Sequence, residues 1–261
     1  ILNRENLDLV HFPYFSVPIF YNRPFVVTIH DLIQNHYASG KASRLPFLFY
    51  YVKRIGYNRV LGNAVKKAKK IIVPLVSVEK DLISTLNVSK DKISVTNEGF
   101  DQNIKRGKIS ENVLKAAKDP YFVYVGNAYP HKNLENLIEG FSLSKTNARL
   151  LLVGREDFFY RRLKKKNYKN LVFLHDVSDS DLFYLYSHAV AVVSASLMEG
   201  FGLLPLEALG AGSIPVVSNI PSFHEVCDDL AIYFNPKDPK DIAGKLTQVL
   251  KLKDSERQDL K

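Results

Sequence analysis

The chain has 261 residues, of which 46% are apolar and 24% are charged, and its formal net charge is +9. This composition is typical of a globular protein and excludes a disordered, collagen-like or disulfide-rich chain. Because Cys227 is the only cysteine, an internal disulfide and a cysteine-based zinc site are also excluded.

The longest apolar runs, such as Ile71 to Val76, are far shorter than the roughly 20 residues that cross a bilayer, so no transmembrane helix is predicted. Nothing in the sequence requires an oxidising compartment, and we expect a cytoplasmic protein. The chain opens with Ile1 without a signal peptide, and its only methionine is Met198, so we expect a piece of a longer protein, truncated at both ends.

Short continuous apolar runs rich in Val and Ile predict strands that are buried on both faces of parallel sheets. In chain order, these runs are Leu7 to His11, Phe25 to Ile29, Ile71 to Val76, Ile93 to Thr96, Tyr121 to Val125, Arg149 to Val153, Leu171 to Leu174, Val190 to Ser194 and Ile214 to Val217. Helical patterns alternate with them, at Asn133 to Ser144, Asp179 to Ser187, Leu204 to Gly210 and Pro239 to Lys251. The alternation predicts an α/β fold.

The polar segment from Asp101 to Pro120 carries no strand signal, and we place a domain boundary near residue 110. The predicted domains are residues 1–110, which start abruptly in a strand, and residues 111–261. Charge differs between them, because residues 1–110 hold 17 Lys and Arg against 8 Asp and Glu, whereas residues 111–261 hold 19 of each class. Two parts with different surfaces are therefore indicated.

The segment SASLMEGFGLLPLEALGAGSIP, at 194–215, leaves a predicted strand, turns at Gly200 and Gly202 and enters a helix. Unpaired N–H groups and the helix dipole at such a junction favour a phosphate. Glu199 and Glu207 flank the turn, and carboxylates are strong acceptors for sugar hydroxyls. The pattern indicates a nucleotide-sugar site, although a surface loop with a dipole-stabilised glutamate explains these residues equally well.

The EGFGLLPLE sequence at 199–207 resembles the signature of the retaining glycosyltransferases of family GT4. Segments at 123–141 (VYVGNAYPHKNLENLIEGF), 150–156, 173–196 and 215–239 match the same family in order and spacing, and those at 26–32 (VVTIHDL) and 73–83 match it more loosely. The resemblance implies a GT-B fold, with two Rossmann-like doubly wound domains facing a cleft. Residues 1–110 would be an incomplete acceptor-side domain, and residues 111–261 the donor-binding domain.

The resemblance also implies roles for individual residues. Glu207 would hold the ribose hydroxyls, Glu199 a hydroxyl of the donor sugar, and Val177 the nucleobase. Lys132 would neutralise the departing diphosphate, and His30 would lie near the reacting sugar. The residues expected to be catalytic are His30, Lys132 and Glu199, and those expected to bind the donor are Gly126, Asn127, Lys132, Val177, Glu199, Gly200, Phe201, Gly202, Leu203 and Glu207.

The chain departs from the family pattern at Asn127, where many members have an arginine that shares the diphosphate charge. Either Lys132 carries more of that charge, or a cation such as His131 or Arg155 assists. The glycine-rich loop of the acceptor side and a last C-terminal helix have no counterpart in the sequence. No Asp-x-Asp or histidine-rich cluster suggests a metal site, so we expect metal-independent chemistry without a cofactor. From its residues alone, His30 is equally consistent with a structural turn.

The stretch from Arg44 to Lys70 combines helically spaced apolar residues with basic ones, and no acidic residue lies between Asp31 and Glu79. A solvated helix face explains this pattern. The sharper interpretation is docking on an anionic membrane, and binding to nucleic acid is less favoured because no binding motif accompanies the charge. The residues assigned to the membrane are Lys53, Arg54, Arg59, Lys66, Lys67, Lys69 and Lys70.

The resemblance implies a retaining hexosyltransferase that uses a nucleotide diphosphate sugar, GDP-mannose or a UDP-sugar. Mannose is preferred because the VVTIHDL and VGNAYPHKN segments look most like those of bacterial mannosyltransferases of polysaccharide assembly. The acceptor would be a hydroxyl of a glycan or a lipid-linked molecule, and the enzyme would lie in the cytoplasm, on the inner face of the membrane if the basic stretch docks there. The alternative is a non-catalytic basic protein of the same fold that binds a membrane or nucleic acid.

Overall fold

The computed structural model describes residues 4, 5, 7–37, 47–100, 107–165 and 168–252, and it contains two compact units. The first unit comprises residues 1–98 together with 199–201, and the second comprises residues 99–198 and 202–261. The junction after residue 98 lies on the N-terminal side of the position near residue 110 that the sequence indicated.

In the first unit the described strands form a parallel sheet in chain order, β1-β2-β3-β4. Phe25 and Val27, and Ile71 and Val73, are fully buried on alternate positions of the two central strands. The elements are β1 (Val10–Phe12), β2 (Phe25–Thr28), α1 (Ile33–His36), α2 (Phe47–Lys67), β3 (Lys70–Val73), α3 (Val76–Leu86) and β4 (Ile93–Val95).

In the second unit six described strands form a parallel sheet in the order β10-β9-β8-β5-β6-β7. The elements are α4 (Glu111–Ala116), β5 (Tyr121–Val125), α5 (Leu134–Leu143), β6 (Arg149–Val153), α6 (Phe158–Lys164), β7 (Leu171–Leu174), α7 (Asp179–His188), β8 (Ala191–Ser194), α8 (Leu203–Gly210), β9 (Pro215–Ser218), α9 (Pro221–Cys227), β10 (Ile232–Phe234) and α10 (Pro239–Leu250).

Helices cover both faces of the second sheet, and a core lies on each side of it. Phe122 and Tyr124 of β5 pack on one side with residues of α5 and α10, whereas Tyr121 and Val123 pack on the other with residues of α7. All four residues are almost completely buried. The continuous apolar runs therefore arise as predicted, because both faces of each central strand are covered by helices.

Polar caps begin several helices of the second unit. Asp157 accepts from the N–H groups of Phe159 and Tyr160 at the start of α6, and Asp238 accepts from the Lys240 N–H at the start of α10. Each side chain satisfies a backbone donor that has no partner within the helix.

The boundaries differ from the prediction in a few places. The first predicted strand, Leu7 to His11, begins too early, because β1 starts at Val10 and the preceding Leu7 and Leu9 are exposed. The third ends too late, because Val76 starts α3. The helices α1, α3, α4, α6 and α9 and the strand β10 were not among the predicted elements. None of the helices in the described part of the chain has the length and apolarity to span a membrane.

Candidate functional site

The order of the second sheet reverses between its two central strands. From β5 the chain adds β6 and β7 on one side, and it then returns to add β8, β9 and β10 on the other. Such an order creates a crevice beyond the carboxyl ends of the strands, and this crevice is where open α/β sheets bind ligands. The loops that follow β5 and β8 border this point, and they carry most of the predicted donor-binding residues.

The loop after β5 is held by two buried tyrosines. The Tyr124 hydroxyl donates to the Asn127 carbonyl at 2.6 Å, and the Tyr160 hydroxyl lies 2.8 Å from the Gly126 carbonyl oxygen. Gly126 has φ +150°, where a side chain is strained, and a Cβ there would also lie 2.7 Å from the Tyr124 hydroxyl. The turn that contains Gly126 and Asn127 is therefore fixed from inside the domain. A single turn of 3₁₀ helix, Pro130–Lys132, then presents the half-buried Lys132.

Two interactions join this loop to the loop after β8. The Leu197 N–H donates to the His131 carbonyl at 2.8 Å. The Asn133 side-chain amide donates to the Ala195 carbonyl at 3.0 Å and to the Pro236 carbonyl, after β10, at 2.7 Å. Asn133 is buried and has φ +58°, a left-handed conformation that asparagine tolerates better than most residues. Sequence reasoning treated it only as a helix start, and no pattern signalled its bridging role.

The N-terminus of α8 follows Gly202, whose φ is +99°. A Cβ at this glycine would lie 2.7 Å from the Phe223 ring, so this position requires glycine for space as well as for conformation. No side chain caps the helix, and its first N–H groups, beginning at Leu203, stand where the sequence placed a phosphate.

Glu207 lies one turn into α8 and is half-buried. Its Oε2 accepts a hydrogen bond from the Tyr186 hydroxyl at 2.9 Å. Burial raises the pKa of the Glu207 carboxyl, the Tyr186 hydrogen bond opposes this, and the negative charge of Asp179 adds to the rise. Burial and the Glu207 carboxylate in turn raise the pKa of Tyr186, which therefore keeps its proton and remains a donor. Within the described chain, Glu207 Oε1 has no protein partner.

Val177 follows the carboxyl end of β7, two strands away from β5. It lines a cavity of about 660 Å³ between α4 and β7, together with His175 and Asp176. The His175 ring bonds to the Gly154 carbonyl. The structure therefore places Val177 at the carboxyl edge of the sheet, three residues after the end of β7.

The remaining predicted residues belong to the first unit. His30 follows β2, and its ring lies between two acceptors, with Nδ1 2.6 Å from Glu98 Oε1 and Nε2 3.0 Å from the Pro13 carbonyl oxygen. Because both partners accept, the ring satisfies both only with a proton on each nitrogen. Gly200 packs so closely on the His30 carbonyl that a Cβ there would collide with it.

Glu199 and Phe201 flank this glycine and belong to the same unit. Glu199 is half-buried and Phe201 is buried. The predicted set is thus divided, because His30, Glu199, Gly200 and Phe201 lie in the first unit and the others in the second. Among the described residues, no group of three or more His, Cys, Asp and Glu side chains is placed to hold a metal ion.

Two family models match the chain. The model described as Glycosyl transferases group 1 matches residues 105–261, and that described as Glycosyltransferase Family 4 matches residues 1–103. The O-antigen chain mannosyltransferase RfbU of Salmonella typhimurium is 30% identical over 259 residues, which are 96% of this chain and 67% of that protein. The chain belongs to the glycosyl transferases group 1 family. The resemblance inferred from the EGFGLLPLE segment is thereby confirmed.

Other group 1 relatives match a smaller part of the chain. The O-antigen chain mannosyltransferase B of Escherichia coli is 32% identical over 139 residues, which are 50% of this chain and 36% of that protein. This chain therefore spans about two thirds of the length of RfbU, and the matched half of it covers about one third of mannosyltransferase B.

Solved structures confirm the predicted fold class of this group 1 member as α/β of the GT-B type. WaaG, a glycosyltransferase involved in lipopolysaccharide biosynthesis, superimposes with a TM-score of 0.71 at 18% identity, over 99% of this chain and 73% of WaaG. The sucrose-phosphate synthase of Thermosynechococcus elongatus gives a TM-score of 0.75 at 18% identity, over 97% of this chain and 66% of that one.

Proposed function

We propose that this chain is the larger part of a retaining hexosyltransferase that transfers a sugar from a nucleotide diphosphate donor to a hydroxyl group. The observation that carries the proposal is the crevice where the order of the second sheet reverses, since the loops that border it, after β5 and β8, are tied together there. Membership of the glycosyl transferases group 1 family supports the reaction class.

In this proposal the donor binds along the carboxyl edge of the second sheet. Glu207 Oε1 accepts from the ribose hydroxyls, while Tyr186 holds the other carboxylate oxygen in place. The ammonium group of Lys132 faces the diphosphate, as does the uncapped start of α8 at Gly202 and Leu203. Val177 packs on the nucleobase. No cofactor is part of the proposal, because the donor brings its own leaving group.

The first unit supplies the acceptor side. His30 and Glu199 contact hydroxyls of the transferred sugar, with Gly200 and Phe201 shaping the adjoining backbone. The His30 ring is already oriented by Glu98 and Pro13, so it loses no rotamer freedom on binding, and in this proposal one of these two acceptors gives way to a sugar hydroxyl.

Mannose is the preferred sugar, because several relatives are named mannosyltransferases, and GDP-mannose is the preferred donor, with a UDP-sugar as the second choice. The acceptor is a glycan or a lipid-linked glycan. The O-antigen mannosyltransferases among its relatives support a role in polysaccharide assembly.

The mechanism proposed is a front-side displacement. The bond between sugar C1 and the diphosphate oxygen breaks with its electron pair leaving on the diphosphate, and the acceptor oxygen attacks C1 from the same face. The proton of the acceptor passes to the departing phosphate oxygen, and the charge of Lys132 stabilises that oxygen as it forms. Isolation of a covalent glycosyl-enzyme adduct would contradict this mechanism.

The donor site is tested by calorimetric titration of the chain with GDP and separately with UDP. We expect saturable binding of one nucleotide, and a loss of at least about tenfold in affinity in Glu207→Ala, because a hydrogen bond to a charged group is worth about 1.5–3 kcal/mol. Glu139→Ala removes an exposed carboxylate from α5 and serves as the matched control. Equal binding by wild type and Glu207→Ala would remove Glu207 from the site, and no binding of either nucleotide would contradict the proposal.

A peripheral attachment to anionic membrane is favoured by one further observation on α2. Its N-terminal part exposes large apolar side chains, with 64% of Phe49, 62% of Val52 and 37% of Ile55 accessible to solvent. These residues recur every third position and so share one side of the helix. Exposed Lys53 and Arg54 lie between Val52 and Ile55, and exposed Arg59 follows one turn later, so basic and apolar side chains are accessible together on this part of α2, as they are on helices that lie on anionic bilayers.

The four lysines near the end of α2 have a structural explanation as well. Lys66 and Lys67 stand in its last turn, where positive charge is favoured by the helix dipole. Lys67 donates to the Ile19 carbonyl at 2.9 Å and Lys70 donates to the Asp91 carbonyl. All four, including Lys69, are exposed, and they add general positive charge to the attachment rather than forming its centre.

Vesicle flotation tests the attachment. We expect the chain to float with vesicles of phosphatidylglycerol but not of phosphatidylcholine, and we expect Lys53→Glu with Arg54→Glu to abolish flotation, since each basic residue contributes about 1 kcal/mol. Lys237→Glu with Lys240→Glu makes the same charge change in the second unit and should have little effect. Equal flotation of both double variants would contradict the attachment. It would also be contradicted if the chain bound nucleic acid and Lys53→Glu with Arg54→Glu abolished that binding.

A further inference from the structure

The turn after β5 has its carbonyl groups held on one side by two tyrosine hydroxyls. Tyr124 donates to the Asn127 carbonyl at 2.6 Å. The Tyr160 hydroxyl lies 2.8 Å from the Gly126 carbonyl oxygen and 3.1 Å from that of Val153, so the shorter contact assigns its single proton to Gly126, while the Val153 oxygen accepts the Gly126 N–H. Both tyrosines are fully buried, and burial raises the pKa of Tyr160, which keeps that proton in place.

Fixing two successive carbonyls also fixes two N–H groups. The described residues contain no cis peptide, and in a trans peptide the C=O of one residue points opposite to the N–H of the next. The N–H groups of Asn127 and Ala128 therefore each point away from the tyrosine hydroxyl that holds the carbonyl of the same peptide. Gly154 makes this packing tight, because a Cβ there would collide with the Gly126 carbonyl oxygen and lie 2.6 Å from the Tyr160 hydroxyl.

These two N–H groups have no protein acceptor among the described residues. The next N–H, that of Tyr129, is already used, because it donates to Asn127 Oδ1 at 3.2 Å. Successive outward N–H groups form a concavity that suits an anion. This one stands at the carboxyl end of β5, in the loop that also carries Lys132.

We propose that Tyr124 and Tyr160 are positioning residues that turn the N–H groups of Asn127 and Ala128 toward the diphosphate of the donor. The inference rests on the proposed function and answers how the chain binds a diphosphate with a neutral asparagine where many family members have an arginine. Two neutral peptide donors, oriented before binding, take the place of one guanidinium group, and Lys132 supplies the charge.

The test compares GDP, which carries the diphosphate, with guanosine, which lacks it, on the full chain; UDP and uridine replace them if the chain binds uracil nucleotides. Tyr124→Phe and Tyr160→Phe each release one carbonyl. We expect each variant to weaken GDP binding about tenfold, which is the contribution of one hydrogen bond to a charged group, and to change the affinity for guanosine by no more than about twofold. Tyr121→Phe is the matched control, since it also removes a buried tyrosine hydroxyl of β5 that donates to a carbonyl, that of Leu185 at 2.9 Å.

A second measurement needs no variant. In ¹⁵N–¹H spectra of the wild-type chain, the amide protons of Asn127 and Ala128 should shift downfield with GDP and stay in place with guanosine. Unchanged amide shifts with bound GDP, or a GDP-to-guanosine affinity ratio in both variants equal to that of Tyr121→Phe, would overturn the inference while leaving the proposed function intact. A wild-type chain that binds neither GDP nor UDP would overturn both.

Discussion

Single polar side chains hold the loops of the second unit through backbone carbonyls. Asn133 is the clearest case, because its amide nitrogen donates to carbonyls of two different loops, at Ala195 and Pro236, while its own backbone is left-handed. A side chain with two donor hydrogens is needed for this, and the conformation limits the choice further.

Replacing Asn133 should therefore destabilise the chain strongly. Asn133→Ala loses both hydrogen bonds and adds strain at positive φ, and we expect the free energy of unfolding to fall by about 2–4 kcal/mol in urea denaturation. Asn133→Gly relieves the strain but not the lost bonds, so it should fall between wild type and Asn133→Ala. If the two variants were equally stable, the backbone conformation would contribute nothing.

We expect the ionised Glu207 carboxylate, which is half-buried in the proposed ribose site, to lower the free energy of unfolding at neutral pH. Its pKa is raised in the folded state, so the folded chain binds this proton more tightly, and the associated stability is present at low pH and lost as pH rises through the folded pKa. Glu207→Gln keeps an acceptor for Tyr186 and removes the charge. We expect its Tm at pH 7 to exceed that of wild type by about 1–3 °C, with the gain shrinking toward pH 4.

Differential scanning calorimetry at several pH values measures this difference, and Glu139→Gln, an exposed carboxylate, is the control. A Glu207→Gln variant that melts below wild type at pH 7 would show that the ionised carboxylate stabilises the fold. In that case the carboxylate would have a structural function as well as the proposed binding one.

Some residues of the candidate site could be predicted from the sequence, and others could not. Glu199, Glu207 and the glycines between them stand out because charged and flexible residues interrupt an apolar context. Tyr124, Tyr160 and Asn133 were not found, because an apolar run hides a tyrosine whose function is in its hydroxyl, and a bridging asparagine depends on carbonyls far along the chain. Contacts of that kind have no local signal.

At the scale of elements, α7 starts from a capping box that also secures the segment before α4. Ser178 and Asp181 cap the helix reciprocally, and Asp181 Oδ1 accepts the Ser110 N–H at 2.8 Å. Burial raises the pKa of Asp181, but the hydrogen bonds from Ser110 and Ser178 together outweigh it, so the net shift of the pKa is downward.

Because the pKa of Asp181 is lower in the folded chain than in the unfolded one, the ionised carboxylate stabilises the fold at pH values above the unfolded pKa. This stability is lost as the pH falls through the folded pKa. We expect Asp181→Asn to lower the Tm at pH 7 by several degrees and to approach the wild-type Tm near pH 3. Thermal melts by circular dichroism measure this convergence. A constant difference between the two proteins from pH 7 to pH 3 would contradict the role of the charge.

The limits of some strands were predicted from the sequence and those of others were not. β5, β6 and β7 have the predicted limits, whereas the fully buried β8 and β9 each begin one residue later than predicted, because apolar Val190 and Ile214 precede them and extend the pattern. β10 was missed because its three residues are preceded by an acidic, helix-like segment. The long helix α2 has no single apolar stripe along its whole length, because Phe49, Val52 and Ile55 are exposed in its first half whereas Leu61, Ala64 and Val65 are buried in its second half.

At the scale of the whole molecule, the residues proposed to bind the nucleotide, namely Lys132, Val177, Gly202, Leu203 and Glu207, all belong to the second unit, which predicts unequal stabilisation by GDP. With GDP at a hundred times its dissociation constant, the second unit should gain about 2.7 kcal/mol. In calorimetry of the full chain we expect the transition of the second unit to move up in temperature, and in Glu207→Ala we expect no movement. A shift of equal size in the variant would place the nucleotide elsewhere.

The central position of β5 in its sheet also affects how the second unit folds during synthesis. Synthesis runs from the N-terminus, so β5, β6 and β7 can pair in order as they emerge, while the other edge of β5 waits for residues 191–194. Until then an apolar strand keeps an unpaired edge, which is a template for pairing with another chain. Ribosome-bound or truncated chains that stop between β7 and β8 are therefore expected to expose this edge of β5, and the crevice at the point of sheet reversal is completed only after β8 has paired.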